Sequence, residues 1–295
     1  MFTRTLRWTC TALVVALMLG IGTGPVLAQD NSGASAEAKK KQLKQLKQSF
    51  RAGLKAAKGN NSSQAYTELE QALQLAQETE SSGAADQISG YLQKLPKNWG
   101  NTAVENENWS DALTHFEKGI EHAENDAYMY YGRGLALVNL DSTEAGLEAL
   151  QQAIEVGNET GNTRVTGLAT ERTRDEFLAR ASEALNAENP SSEQIQTALD
   201  ALDEMREYVD PNAQSLFYRA RALFEGGQYQ QALDTAQEGL DMHQGSRSDA
   251  AKYYFIVAES QMNLGNEESG CQTFEQAAYG DYQARAQHYL KNECQ

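Results

Sequence analysis

Proline is scarce in this chain, with four residues in 295. Few helix breakers beside plentiful Gln, Ala, Glu and Leu predict an all-helical protein. Cysteine is rarer still, and three residues cannot build a dense disulfide framework. Cations are short as well: 25 Lys and Arg stand against 41 Asp and Glu, a formal net charge of −16. That balance excludes a nucleic-acid binder, because neutralising phosphate needs a basic surface. Long apolar runs are missing too. The one apolar stretch, Thr11 to Ile21, is shorter than the roughly 20 residues of a comfortable membrane span. Core-forming material is not lacking: 40 % of residues are hydrophobic, too many for a disordered chain and enough for one or two packed domains.

The ends of that short apolar run are informative. Arg4 and Arg7 precede it, and Gly22-Thr23-Gly24-Pro25 and Val26-Leu27-Ala28 follow. A basic end, a short apolar core and a small-residue exit describe a secretory signal peptide over residues 1–28. Position 29 is Gln, so no lipid-bearing Cys follows the cleavage point. The mature chain is expected outside the cytoplasm, secreted or periplasmic, with no transmembrane segment. Cys10 leaves with the signal, and Cys271 and Cys294 remain.

No P-loop, His-Glu-x-x-His, Cys-x-x-Cys or calcium-loop pattern occurs. Gly132-Arg133-Gly134 lacks a third Gly and falls inside a helical stretch, so it reads as helix packing. His115 and His122 are seven apart and could share a helix face, but no third ligand is placed by spacing, and no metal is predicted. No catalytic residue and no cofactor are predicted either. Asn60, Asn61, Asn108 and Asn158 head glycosylation sequons, which matter only in a host that uses them.

Internal repetition carries most of the information. Gly53 and Ala65, Gly100 and Ala112, Gly134 and Gly146, Ala220 and Ala232, and Ala258 and Gly270 are pairs of small residues twelve positions apart. After the second member, apolar residues recur near offsets 1, 4, 7 and 8, as in Leu147, Leu150, Ala153 and Ile154. Those offsets keep one helical face apolar. Polar or Gly turns such as Glu225-Gly226-Gly227-Gln228 sit between. Each unit is two helices, a tight turn, and small residues where the helices touch.

This plan resembles the tetratricopeptide repeat family, whose unit is a 34-residue helix–turn–helix. The clearest copy is Ala213 to Ser246, with Leu216, Ala220, Leu223, Gly227, Tyr229, Ala232, Gly239 and Leu240 on the family's positions. Gln93 to Asp126, with Trp99-Gly100, Trp109, Ala112 and Phe116, is a second. Ala127 to Thr160 and the stretch from Ala251 also fit, and Leu46 to Thr79 is weaker. Glu176 to Asp210 departs from the pattern, with a turn about five residues longer around Asn189-Pro190. The resemblance implies an all-α, right-handed superhelical solenoid of about six repeats over 46–281, and the long anchor gaps imply lengthened connections near 80–92 and 161–175 that hold extra or lengthened helices. Residues 29–45 would be a basic lead-in, and 282–295 a capping helix and tail.

The family's first helices line a concave groove, and carrying its contact positions across gives Lys97, Asn101, Tyr128, Tyr131, Phe217, Arg221, Phe224 and Phe255 as candidate protein-binding residues. The subclass that grips a peptide's terminal carboxylate would want Asn where Gly132 stands, and it is disfavoured. Two remaining Cys in an oxidising compartment make one bridge, and Cys271 and Cys294 flank the last helices, so a disulfide is predicted there. The expected function is a non-enzymatic scaffold holding a protein or extended peptide.

Charge is distributed unevenly. Lys39, Lys40, Lys41, Lys44, Lys47, Arg51, Lys55 and Lys58 are eight cations with no acid between Glu37 and Glu68. From Gly59 onward 15 basic residues face 39 acidic ones, or −24. Leu43, Leu46, Phe50, Leu54 and Ala57 recur at helical spacing, so the basic stretch is an amphipathic helix. It could attach the protein to anionic lipid or wall polymer through residues 39–58, making it a cell-envelope accessory protein. It could equally be a solvated outer face whose charge acidic neighbours balance, and that reading is preferred.

Overall fold

The computed structural model describes residues 31–294; the expected signal peptide, with Arg4, Arg7 and Cys10, lies outside the described residues. Thirteen α-helices and no strand occur among them. They form six consecutive pairs: α1 (Asn31–Lys58) with α2 (Ser62–Glu78), α3 (Ser82–Glu105) with α4 (Trp109–His122), α5 (Ala127–Asn139) with α6 (Thr143–Thr160), α7 (Thr163–Ala184) with α8 (Ser192–Tyr208), α9 (Ala213–Glu225) with α10 (Tyr229–Met242), and α11 (Arg247–Asn263) with α12 (Glu267–Ala277). A 3₁₀ turn at Gly280–Tyr282 leads into the last helix, α13 (Gln283–Asn292).

The small-residue pairs are where partner helices meet. Ala65, Ala112, Ala220, Ala232 and Ala258 are fully buried. A Cβ added to Gly146 would stand 2.6 Å from Cγ2 of Val138 and 3.2 Å from the Gly134 carbonyl oxygen, so two helix backbones touch there. Leu69, Leu92, Phe116, Leu150 and Phe177 are buried between helices of successive pairs, and Phe274 between the last pair and α13. Each pair buries its apolar face on the next, which is how a repeat array acquires a continuous core.

Local sequence sets the helix starts. Asn61, Asp126 and Asn162 accept hydrogen bonds from the backbone N–H of Gln64, Tyr128 and Val165. Ser191, Asn212 and Ser246 form reciprocal capping boxes with Gln194, Ser215 and Asp249. Most turns place one left-handed residue just before the next N-cap: Asn60, Glu80, Glu107, Asp141, Gly161, Gly227 and Gly265 all have φ between 56° and 81°.

The extra residues near 80–92 and 161–175 go into lengthened helices, one of the two forms that the anchor gaps implied, and not into the turns between helices. The chain turns tightly at Glu80 and Gly161, and the additional length extends α3 and α7. Buried Ile88, Leu92, Val165 and Ala169 keep those extensions in the core, and Pro96 is carried inside α3. The longer turn is real at 185–191, between α7 and α8. The cations of α1 are all exposed, and Lys39 alone among them forms an ion pair with a described residue, Glu80, at 3.5 Å. α1 itself runs unbroken through residue 45.

Candidate protein-binding groove

First helices approach first helices closely: α3 meets α5, α5 meets α7, α7 meets α9, and α9 meets α11, whereas second helices stand further apart and meet through long side chains, as Glu70 of α2 does with Lys118 of α4. The first helices therefore form the tighter, inner layer, and their exposed side chains face the groove. The carried-over positions fall into two groups on that layer.

The first group lies on α3 and α5, and its polar atoms are mostly engaged. The Lys97 ammonium lies 3.2 Å from Oδ2 of Asp126 and 4.3 Å from the centre of the Tyr128 ring. The Tyr128 hydroxyl donates to Oδ1 of Asn101 at 3.0 Å. Tyr131 stacks at a tilt on Tyr128, 6.0 Å between ring centres, and burial pushes its phenol pKa up. Lys97 and Asn101 thus knit adjacent repeats together instead of standing ready for a ligand carboxylate.

The second group lies at the other end. Phe217, Arg221, Phe224 and Glu225 of α9 and Phe255, Ile256 and Glu259 of α11 line a cavity of about 480 Å³. Asn186 and Glu188 from the long turn close one side, and Tyr282 and Arg285 close the other. Phe255 is 1 % exposed, packed on Phe274, Tyr282 and Tyr289, with the Arg285 guanidinium 4.3 Å from its ring centre. Phe217 is 8 % exposed, edge-on to Tyr253. Both phenylalanines are the floor of this cavity, and their rings serve packing between repeats. Arg221 donates through Nη2 to the Leu185 carbonyl at 2.6 Å, tying α9 to the long turn. The Glu259 carboxylate accepts from the Tyr289 hydroxyl at 3.0 Å and sits 3.8 Å from Arg285. Burial raises its pKa against the opposing pull of Tyr289 and Arg285. Arg221, Phe224, Tyr282 and Arg285 are the side chains a ligand would meet.

Tyr282 and Arg285 were not among the expected contacts, since the sequence placed them in a cap. The signal for the turn residues was present in the lengthened 185–191 connection, but nothing local says that it folds over the groove.

Cys271 and Cys294 are disulfide-bonded, with Cα atoms 5.6 Å apart. The bridge ties α12 to the residues just after α13. The two histidines of α4 go to separate partners: His115 Nδ1 lies 3.1 Å from the Tyr66 hydroxyl, and His122 Nε2 lies 3.3 Å from Oε1 of Glu70. Glu70, Glu121 and His122 bring possible ligand atoms within 4.8 Å of one another. The Lys118 ammonium already lies there, 2.7 Å from Glu121 and 3.5 Å from Glu70, and supplies the positive charge.

This geometry defines a helical repeat array with a groove on its inner layer. A family model described as tetratricopeptide repeat matches residues 97–159 and 191–247, and those segments carry tetratricopeptide repeats. Such repeats are generally non-catalytic scaffolds. Among solved structures, the MamA protein is 11 % identical, covering 68 % of this chain and 96 % of its own, with a TM-score of 0.38. MamA residues 41 to the end from Desulfovibrio magneticus RS-1 are 14 % identical, covering 68 % and 97 %, with a TM-score of 0.37. YrrB, described as a TPR protein with an unusual peptide-binding site, is 18 % identical, covering 68 % and 92 %, with a TM-score of 0.36. A search of curated proteins finds no match.

Proposed function

We propose that this protein is a non-enzymatic scaffold, exported from the cytoplasm, that holds a protein or extended peptide in the groove at its α9–α11 end. The observation that carries this reading is the cavity of about 480 Å³, where aromatic and guanidinium side chains from separate repeats converge. Aromatic and Arg side chains are frequent interface anchors: the aromatics bury large area and lose few rotamers, and the planar Arg fork offers several donors at once. Phe224 and Arg221 stand on one inner face of α9, and Tyr282 opposes them from beyond α12.

The test is affinity capture from the cell envelope, comparing the native chain with Arg221→Ala and Phe224→Ala. Loss of a captured protein in both variants, with helical content unchanged, supports the reading. Unchanged capture retires the groove, and recovery of the chain only from the cytoplasm retires export.

A further inference from the structure

We propose that the outer face of α1 docks the array flat on an anionic lipid bilayer, by charge alone and without insertion. Lys40, Lys44, Lys47, Arg51, Lys55 and Lys58 follow one another at intervals of three or four residues. At about 100° per residue they fall within a sector of about 80°, a stripe about 27 Å long at about 1.5 Å rise per residue. Each is exposed, and none forms an ion pair with a described residue. Lys39, which does, lies off the stripe. Glu37 is the one acid on α1, at the stripe's N-terminal end.

The apolar residues of the same helix are already used. Leu46 is buried against Tyr66 and Leu69 of α2, and Leu43 and Phe50 pack on the same cluster. Phe50 also meets Tyr91 of α3, 5.8 Å between ring centres. With its apolar face turned inward, α1 has nothing to bury among acyl chains, and no described helix is long and apolar enough to cross a membrane. What remains is a straight row of about one cation per turn, which matches a flat surface of dense negative charge. Clusters of four to eight cations on an amphipathic helix are attracted to anionic headgroups within a Debye length of about 8–10 Å. The acids seen against α1, Glu78 and Glu80, contact Gln42 and Lys39, both off the stripe, and leave its outward face to the cations. The groove at α9–α11 takes no part, and this docking stands independently of what that groove holds.

The experiment is co-sedimentation of the full chain with vesicles of phosphatidylglycerol or of phosphatidylcholine, read as the difference between the two. Arg4 and Arg7 flank the apolar N-terminal run and also favour phosphatidylglycerol, so the native chain is read against a triple variant that leaves them in place. The expected result is binding specific to phosphatidylglycerol and lost at 0.5 M salt. Each neutralised cation should weaken it about fivefold, so Lys44→Gln/Lys47→Gln/Arg51→Gln weakens it about a hundredfold. Lys39→Gln, off the stripe, should change it several-fold less than any single stripe substitution. Three outcomes overturn the proposal: no preference for phosphatidylglycerol, a preference that survives high salt, or full binding by the triple variant. Salt-sensitive self-association removed by the same triple variant, without vesicle binding, would also overturn it and assign the stripe to the acidic surface of a second copy.

Discussion

Gly132 and Gly167 both lie inside helices, and replacing each by Ala should move stability in opposite directions. Ala is favoured over Gly in a helix interior by about 0.5–1 kcal/mol, through lower backbone entropy in the unfolded chain. At Gly167, on the exposed side of α7, an added Cβ meets nothing within 4 Å, so that gain should appear whole. At Gly132 the added Cβ falls well inside contact distance of three ring atoms of Phe116. Phe116 is 1 % exposed, and Gly100 of α3 abuts the same ring, where a Cβ would stand 2.8 Å from Cε1 and Cζ. A ring held by two backbones has little room to retreat. Overpacking of this kind costs about 1–3 kcal/mol; less the propensity gain, Gly132→Ala should lose up to about 2 kcal/mol. The propensity gain is common to both variants, so they should differ by the overpacking cost, about 1–3 kcal/mol. An array of repeats does not melt all-or-none, so amide exchange in α4–α5 and in α7 is read beside the thermal midpoint. Gly132→Ala at or above wild-type stability would refute the packing argument. Phe116→Leu introduced into Gly132→Ala should recover part of the loss, because it removes the ring edge that clashes.

The disulfide closes a separation of 23 residues, for which the chain-entropy treatment gives about 3 kcal/mol. Cys271→Ser should speed amide exchange in α12 and α13 while leaving α3–α8 unchanged; equal protection in α13 would refute it. Glu259 titrates above its ordinary range because it is buried. The folded state therefore holds its proton more tightly than the unfolded state. The stabilisation is full below the ordinary carboxylate pKa and is lost as pH rises through the raised value. Glu259→Gln should then stabilise the protein at pH 7, with the gain shrinking toward pH 4. A gain that denaturant titrations find independent of pH would contradict this account.

The repeat plan was legible because it rests on local chemistry. Two helices cross closely only where small residues meet, so Gly100 with Ala112 and Gly134 with Gly146 reveal the pairing without any distant information. Helix length was less legible. The anchors before Ala112 and Ala198 are 47 and 52 residues upstream, a spacing compatible with longer loops, extra helices or longer helices. Packing chooses the last: Ile88 and Leu92 continue the apolar face of α3 toward its N-terminus, and the turn at Glu80 is as tight as any within a pair.

The groove was legible only as a set of positions. Carry-over found side chains on the inner layer but could not say which retain free polar atoms, since that is decided by residues about 30 positions away. Asp126 takes the charge of Lys97, Tyr128 takes the carbonyl of Asn101, and Tyr282 with Tyr289 encloses the ring of Phe255. An inner-face residue in such an array has two competing uses, stacking on the next first helix or meeting a ligand. Stacking takes Lys97, Asn101 and Tyr128, which adjacent repeats engage. After α11 no next first helix follows. Tyr282 and Arg285, from the 3₁₀ turn and α13, stand in its place, and on the opposite side the irregular 185–191 turn, in place of a helix, closes over α9. The cavity forms where regular stacking is interrupted on both sides, which is why the ligand-facing residues include two that no repeat position could have named.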